Sequence, residues 1–150
     1  MGRDIPRPLY DQVFELVTLL AQPDARPLDN VDEVSAAQAL TKLRDLYEAQ
    51  RDAGAPDPFL TEALADFVDD DHEAISLYRR SLAEATQFPG EPTHTKRIGL
   101  TRRLCSIGLT SEASRELEAA RREAFAARDS AAMVELDDLA KELAGKAASS

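Results

Sequence analysis

The sequence predicts an all-α protein, an antiparallel array of about seven helices. Apolar residues recur at helical spacing along most of the chain, and no segment shows the period-two alternation of a half-buried strand. Aromatic residues make up only 5% of the chain and Trp is absent. This composition favours helices that pack through small residues over a sheet. Because the intervening turns are short, successive helices should run antiparallel.

Residues 1–54 predict an N-terminal pair of helices. The first runs from about Pro8 to Ala21, and two prolines in the next segment stop it. The second runs from about Val31 to Ala53, and Gly54 can close it in a left-handed conformation. The apolar stripes are Leu9, Val13, Leu16, Val17 and Leu20 in the first helix and Val34, Leu43, Leu46 and Tyr47 in the second.

Residues 55–145 predict five further helices. Asp57 followed by Pro58 is a strong start signal for the third, and the triplet Asp69-Asp70-Asp71 opens the fourth. Residues 146–150 are expected to form a frayed tail. The last three helices are expected at about Thr93–Ile107, Ser111–Arg128 and Ser130–Leu143.

A small–large–small pattern recurs in the fourth and sixth helices. It reads Ala74-x-x-x-Tyr78-x-x-Ser81 and then Ala113-x-x-x-Leu117-x-x-Ala120, and the two copies are 39 residues apart. Small residues let two helices approach closely, and the large residue fills the groove between them. Such a unit cannot bury its apolar face alone, so units of this kind must stack.

This pattern resembles the tetratricopeptide repeat. The matching residues are Leu100, Thr101 and Leu104 in one helix, Gly108 in the turn, and Ala113, Leu117 and Ala120 in the next helix. The earlier copy departs from the family, because its turn before Ala74 is shorter. The spacing of 39 residues also exceeds the typical period of about 34. The resemblance implies an α–α superhelix in the second half, and the first two helices match no family.

The resemblance also implies a binding surface. In such repeats the exposed side of the first helix of a unit lines a concave groove, which here places Thr95, Ile98, Arg102 and Ser106 near that groove. Arg102 is the best single candidate for a partner contact. The sequence thus predicts a non-catalytic module that binds another protein or peptide.

The charge is distributed unevenly. The chain carries a net charge of −10, and residues 1–75 hold 6 Lys or Arg against 17 Asp or Glu. Such a chain is poorly suited to nucleic acid or a membrane surface, so neither is expected as a partner. If the acidic half binds, its partner should be basic, with Asp32 and Glu33 among the contacts. An immunity or antidote protein that covers a basic toxin is therefore an alternative, and an acidic surface that only aids solubility is another.

No pattern for catalysis or metal binding is present. His72-Glu73 begins like a zinc-protease helix, but Ser76 stands where that motif needs its second His. The chain has only two His and one Cys, so we expect no metal and no cofactor. We also expect no enzymatic activity, although a helical enzyme of unrecognised type stays an alternative. His72 and His94 should be exposed or capping residues. Cys105 should be a small buried residue. Because it is the single cysteine of the chain, we expect the protein to lie in a reducing compartment, the cytoplasm.

Four basic doublets occur in the second half, without the interleaved aromatics that base stacking requires. Glutamates lie between them, so we expect ion pairs within single helices. The doublets are Arg79-Arg80, Lys96-Arg97, Arg102-Arg103 and Arg121-Arg122.

Overall fold

A computed structural model describes residues 3–21 and 31–149, except for the side chains of residues 31–35 and 147–149. Over these ranges the chain forms seven helices and no strand, which confirms the predicted all-α class. The helices are α1 (Arg7–Ala21), α2 (Val31–Asp52), α3 (Pro58–Phe67), α4 (Asp71–Ala85), α5 (His94–Ser106), α6 (Thr110–Ala126) and α7 (Ser130–Ser149).

Local signals fix several helix ends as predicted. The Asp57 carboxylate caps α3 by accepting a hydrogen bond from the Phe59 amide at 2.9 Å. Asp70 caps α4, because its Oδ1 accepts hydrogen bonds from the backbone amides of His72 and Glu73. Gly54 and Gly108 follow α2 and α5 with φ of 74° and 80°, the left-handed conformation that glycine adopts most easily.

The helices form two layers. Each helix packs on the next one in sequence, and the odd-numbered helices α1, α3, α5 and α7 also approach one another in order. Within the described ranges, the backbones of α2, α4 and α6 do not contact one another. The first pair, α1 and α2, therefore repeats the placement of the later pairs, although its sequence carries no repeat pattern.

The small residues of the repeated pattern lie between the layers. Ala74, Ala113 and Ala120 are completely buried. The buried Ser81 hydroxyl donates a hydrogen bond of 2.7 Å to the Pro58 carbonyl, so a side chain of α4 is bonded directly to the start of α3. These positions have the packing role that their spacing predicts.

Helix α7 is longer than predicted. The sequence placed its end near Leu143, but the helix continues to Ser149, through most of residues 146–150, which were expected to form a frayed tail. Lys146 contributes to this extension, because its ammonium donates a hydrogen bond of 2.7 Å to the Cys105 carbonyl near the end of α5. A contact of this kind, between residues far apart in the sequence, cannot be predicted from local helix propensity.

The basic doublets do not form the expected ion pairs within single helices. Their described ion pairs join side chains from different segments of the chain. Examples are Arg79–Glu112, Arg97–Glu116, Arg102–Glu135, Arg103–Asp71 and Arg121–Asp137.

His94 was expected to be exposed or capping, and that prediction is wrong. Its side chain is buried, and Nε2 lies 2.9 Å from Asp129 Oδ2 in the turn between α6 and α7. His72 is exposed, as expected. The two histidines differ because the α6–α7 turn covers the start of α5, whereas the start of α4 faces solvent.

Candidate functional site

Two adjoining clefts lie on the layer of odd-numbered helices. The charged cleft, of about 610 Å³, lies between α3, α5 and α7, and its lining includes Arg102, Arg103, Asp129 and Glu135. The aromatic cleft, of about 430 Å³, lies between the N-terminal segment, α1, α3 and the start of α5. Both linings include Glu62, Asp66 and Thr95, so the clefts meet at these three residues.

Interhelical bonds hold the walls of the charged cleft. Arg102 on α5 pairs with Glu135 on α7 at 2.9 Å. Arg103 donates hydrogen bonds to the Val68 and Ala65 carbonyls at the end of α3, at 2.7 and 3.2 Å. It also pairs with Asp71 at 3.0 Å. A cation at the carbonyl end of a helix opposes its partial negative charge, so these contacts of Arg103 stabilise the end of α3.

The opposite wall of this cleft begins at Asp129. Its carboxylate caps α7 by accepting a hydrogen bond from the Ala132 amide at 3.0 Å, and its other oxygen faces His94. The backbone hydrogen bond from Ala132, followed by the bond from His94, lowers the pKa of Asp129. This carboxylate is therefore held in its charged form by residues of the fold itself.

Asp66 occupies the junction of the two clefts. It is open to the clefts, and its Oδ1 accepts a short hydrogen bond from the Tyr78 hydroxyl. The surrounding protein reduces its hydration, which raises the pKa of Asp66 to about 6, although the hydrogen bond from Tyr78 and the charges of Arg103 and Lys96 act in the opposite direction. Burial also raises the pKa of Tyr78, so its hydroxyl remains a donor.

An ion network lies beneath the aromatic cleft, around the completely buried Lys96. The Lys96 ammonium donates hydrogen bonds to Glu62 at 2.7 Å, to Glu91 at 2.5 Å and to the Pro92 carbonyl at 2.8 Å. Arg3 pairs with Glu91 at 2.8 Å and with Asp57 at 2.7 Å. The network fastens the N-terminal segment to α3 and α5, and this segment forms one wall of the cleft.

Exposed aromatic rings line the other wall. Tyr10 and Phe14 on α1 are 41% and 58% exposed. The Tyr10 ring stacks between Phe14 and Phe59, with ring centroids 5.9 and 5.7 Å apart. Contiguous apolar surface with a polar rim marks an interaction site more often than a single exposed ring does.

The aromatic cleft was not predicted from the sequence, although the sequence carries a signal for it. Tyr10 and Phe14 lie one helical turn apart and outside the inward stripe of the first helix. Large apolar residues on a face that should be polar indicate a surface that something covers.

The structure brings three of the predicted site residues together. Thr95, Ile98 and Arg102 line the charged cleft, although the Ile98 side chain is mostly buried. Ser106 lies one turn beyond Arg102, is exposed, and donates its hydroxyl to the Arg102 carbonyl outside the lining of both clefts. The side chains of Asp32 and Glu33 lie outside the described part of the chain.

Other chemistry-bearing groups are few in the described ranges. They contain no group of three or more His, Cys, Asp or Glu side chains placed to hold a metal ion. Cys105 is buried as predicted, and this burial raises the pKa of its thiol. Of the helices described, none combines the length and the apolar character needed to cross a membrane.

Comparisons of the chain with protein-family models, curated proteins and solved structures give no significant match.

Proposed function

We propose that this protein is a non-catalytic module that binds a peptide segment of another protein along its two adjoining clefts. The observation that carries the proposal is the stack of the exposed Tyr10 and Phe14 rings with the half-buried Phe59, which lines a cleft continuous with the charged cleft. Aromatic anchors in a concave surface with a polar rim are typical of protein recognition. The resemblance of the second half to tetratricopeptide repeats supports the same function.

The state of the charged side chains also supports binding. Arg102, Glu135 and Glu62 are held by partners on neighbouring helices, at 2.9 Å for the first pair and 2.7 Å for Glu62 to Lys96. These three charged side chains of the cleft linings therefore already have partners before a ligand arrives. A preformed surface loses less side-chain entropy on binding, which leaves more of the interaction free energy as affinity.

Selection of random linear peptides displayed on phage against the full chain tests this proposal. Peptides should be enriched, and Phe14→Ser should weaken their binding by about tenfold or more, as expected for an aromatic anchor. Phe125→Ser is the matched control, because Phe125 is also an exposed aromatic, 76% exposed, but lies on α6 outside both clefts. Failure to enrich any peptide, or equal effects of the two substitutions, would contradict the proposed function.

A further inference from the structure

We infer that the junction of the two clefts receives a lysine or arginine side chain, carried by a peptide whose neighbouring apolar side chain packs on the aromatic cleft. The inference rests on the proposed function and adds the chemical class of the peptide. Three observations support it. One oxygen of a carboxylate receives no hydrogen bond from the described residues, negative charge is in local excess, and an aromatic surface lies beside it.

The Asp66 carboxylate is the first element. One oxygen accepts the Tyr78 hydroxyl, and no donor from the described residues reaches the other oxygen. The nearby guanidinium of Arg103 is directed away, because its hydrogen bonds go to the end of α3 and to Asp71. A carboxylate with reduced hydration and a free oxygen is stabilised by a charge-assisted hydrogen bond from an incoming cation.

The balance of charge beneath the junction is the second element. The buried network contains two cations, Arg3 and Lys96, against three carboxylates, Asp57, Glu62 and Glu91. Asp66, when ionised, brings the local excess to two negative charges. An acidic peptide would be repelled there, whereas a basic side chain would neutralise part of the excess.

The aromatic cleft is the third element. Tyr10 and Phe14 line the same cleft as Asp66, so a peptide whose cation contacts Asp66 also reaches the stacked rings. The rings can cover the aliphatic stem of the basic side chain or the apolar side chain beside it. The favoured peptide is therefore basic and amphipathic, with a cation next to an aliphatic or aromatic residue.

Binding should depend on pH, because the Asp66 carboxylate must be ionised to pair with the cation. The charged and titratable groups around it are Glu62 on its own helix, Tyr78 from α4, and Lys96 and Arg103 from α5, with Asp129 and Glu135 across the charged cleft. As the pH falls through about 6, the pKa of Asp66, protonation removes the attractive charge. Affinity for a basic peptide should therefore decrease below that pH.

The test uses the peptides selected on the full chain. Their sequences should be enriched in Lys or Arg next to an aliphatic or aromatic residue. For one such peptide, the affinity should fall about tenfold or more when its basic residue becomes Gln, and equally in the variant Asp66→Asn. The asparagine still accepts the Tyr78 hydroxyl but has no charge. Asp138→Asn is the control, since Asp138 is an exposed carboxylate on α7 outside both clefts.

The outcomes separate the two proposals. Selected peptides that depend on Phe14 but lack basic residues, or that bind Asp66→Asn as tightly as the wild type, would overturn this inference and leave the proposed function standing. Enrichment of acidic peptides would also overturn it. Loss of affinity in both the Asp66→Asn variant and the Gln peptide, without further loss when they are combined, would support a direct pairing.

Discussion

At the scale of single residues, α4 and α5 pack closely where Tyr78 meets Gly99. A Cβ atom on Gly99 would clash with the Tyr78 ring, since it would lie much closer to the ring atoms than van der Waals contact allows. Because the Tyr78 hydroxyl also donates to Asp66, the ring cannot move without disturbing that carboxylate. Gly99 is therefore required for close approach, and the same contact helps to position the junction of the clefts.

We predict that Gly99→Ala lowers the free energy of unfolding by roughly 1–3 kcal/mol through overpacking, despite the higher helix propensity of alanine. Chemical denaturation measures this change. Gly145→Ala is the matched control: a Cβ there meets nothing within 4 Å, so the substitution in α7 should be neutral or stabilising by up to about 1 kcal/mol. Equal effects at the two glycines would show that Tyr78 does not restrict Gly99.

The Asp66 carboxylate yields a second prediction at this scale. Its pKa is about 6 in the folded protein, above its ordinary value of 3.8. The folded state therefore takes up a proton before the unfolded chain does, and stability increases as the pH falls from 6 towards 3.8. Above pH 6 the ionised carboxylate is destabilising.

Asp66→Asn should accordingly have a higher melting temperature than the wild type at about pH 8, and the difference should shrink as the pH falls and vanish near pH 4. Thermal melts across this range measure it. Asp138→Asn, at an exposed carboxylate on α7, is the matched control for the removal of one negative charge. A constant difference at every pH would mean that the ionisation of Asp66 does not affect folding.

At the scale of the helices, the sequence predicted most of the fold. Apolar stripes, the caps at Asp57 and Asp70, and the glycines after α2 and α5 determine where helices lie, because these signals are local. The candidate site was less predictable. The burial of Lys96 cannot be predicted from the sequence, because its partner Glu62 lies 34 residues earlier in the chain.

The other incorrect predictions from the sequence have the same physical cause. His94 and the basic doublets were assigned local roles, but their partners come from the next helices. The charged cleft was predicted in part, through Thr95, Ile98 and Arg102, because the resemblance to tetratricopeptide repeats implies a groove along the exposed side of this helix. The aromatic cleft requires the packing of α1 beside α3, and no repeat pattern in the first two helices predicts that arrangement.

The Lys96 network supplies the prediction for this scale. Lys96→Met should lower the free energy of unfolding by about 3–5 kcal/mol, because it leaves the Glu62 and Glu91 carboxylates without their buried ammonium. Adding Glu62→Gln should cost less in the Lys96→Met background than in the wild type, or should restore stability. Denaturation of the four proteins measures the coupling, and strictly additive effects would show that the two side chains do not interact.

At the scale of the whole molecule, charge is separated along the chain. Residues 1–75 carry a net charge of −11, whereas residues 76–150 carry +1. The first half contributes Asp57, Glu62 and Asp66 to the region of the clefts, so the long-range field and the local excess have the same sign. A field of this kind accelerates the encounter with a basic ligand, and salt weakens it.

The last prediction tests whether this field acts on a bound peptide. For a selected basic peptide, the association rate should fall as ionic strength rises, because screening shortens the reach of exposed charges to about 8 Å at physiological salt. Replacing Asp32 and Glu33 by Lys should slow association at low salt and have little effect at high salt. Arg102→Glu adds negative charge, so steering alone predicts faster association, whereas a direct contact between Arg102 and the peptide predicts weaker binding. If only Arg102→Glu weakens the complex and salt has no effect, capture by the acidic half is wrong, and the immunity alternative loses its physical basis.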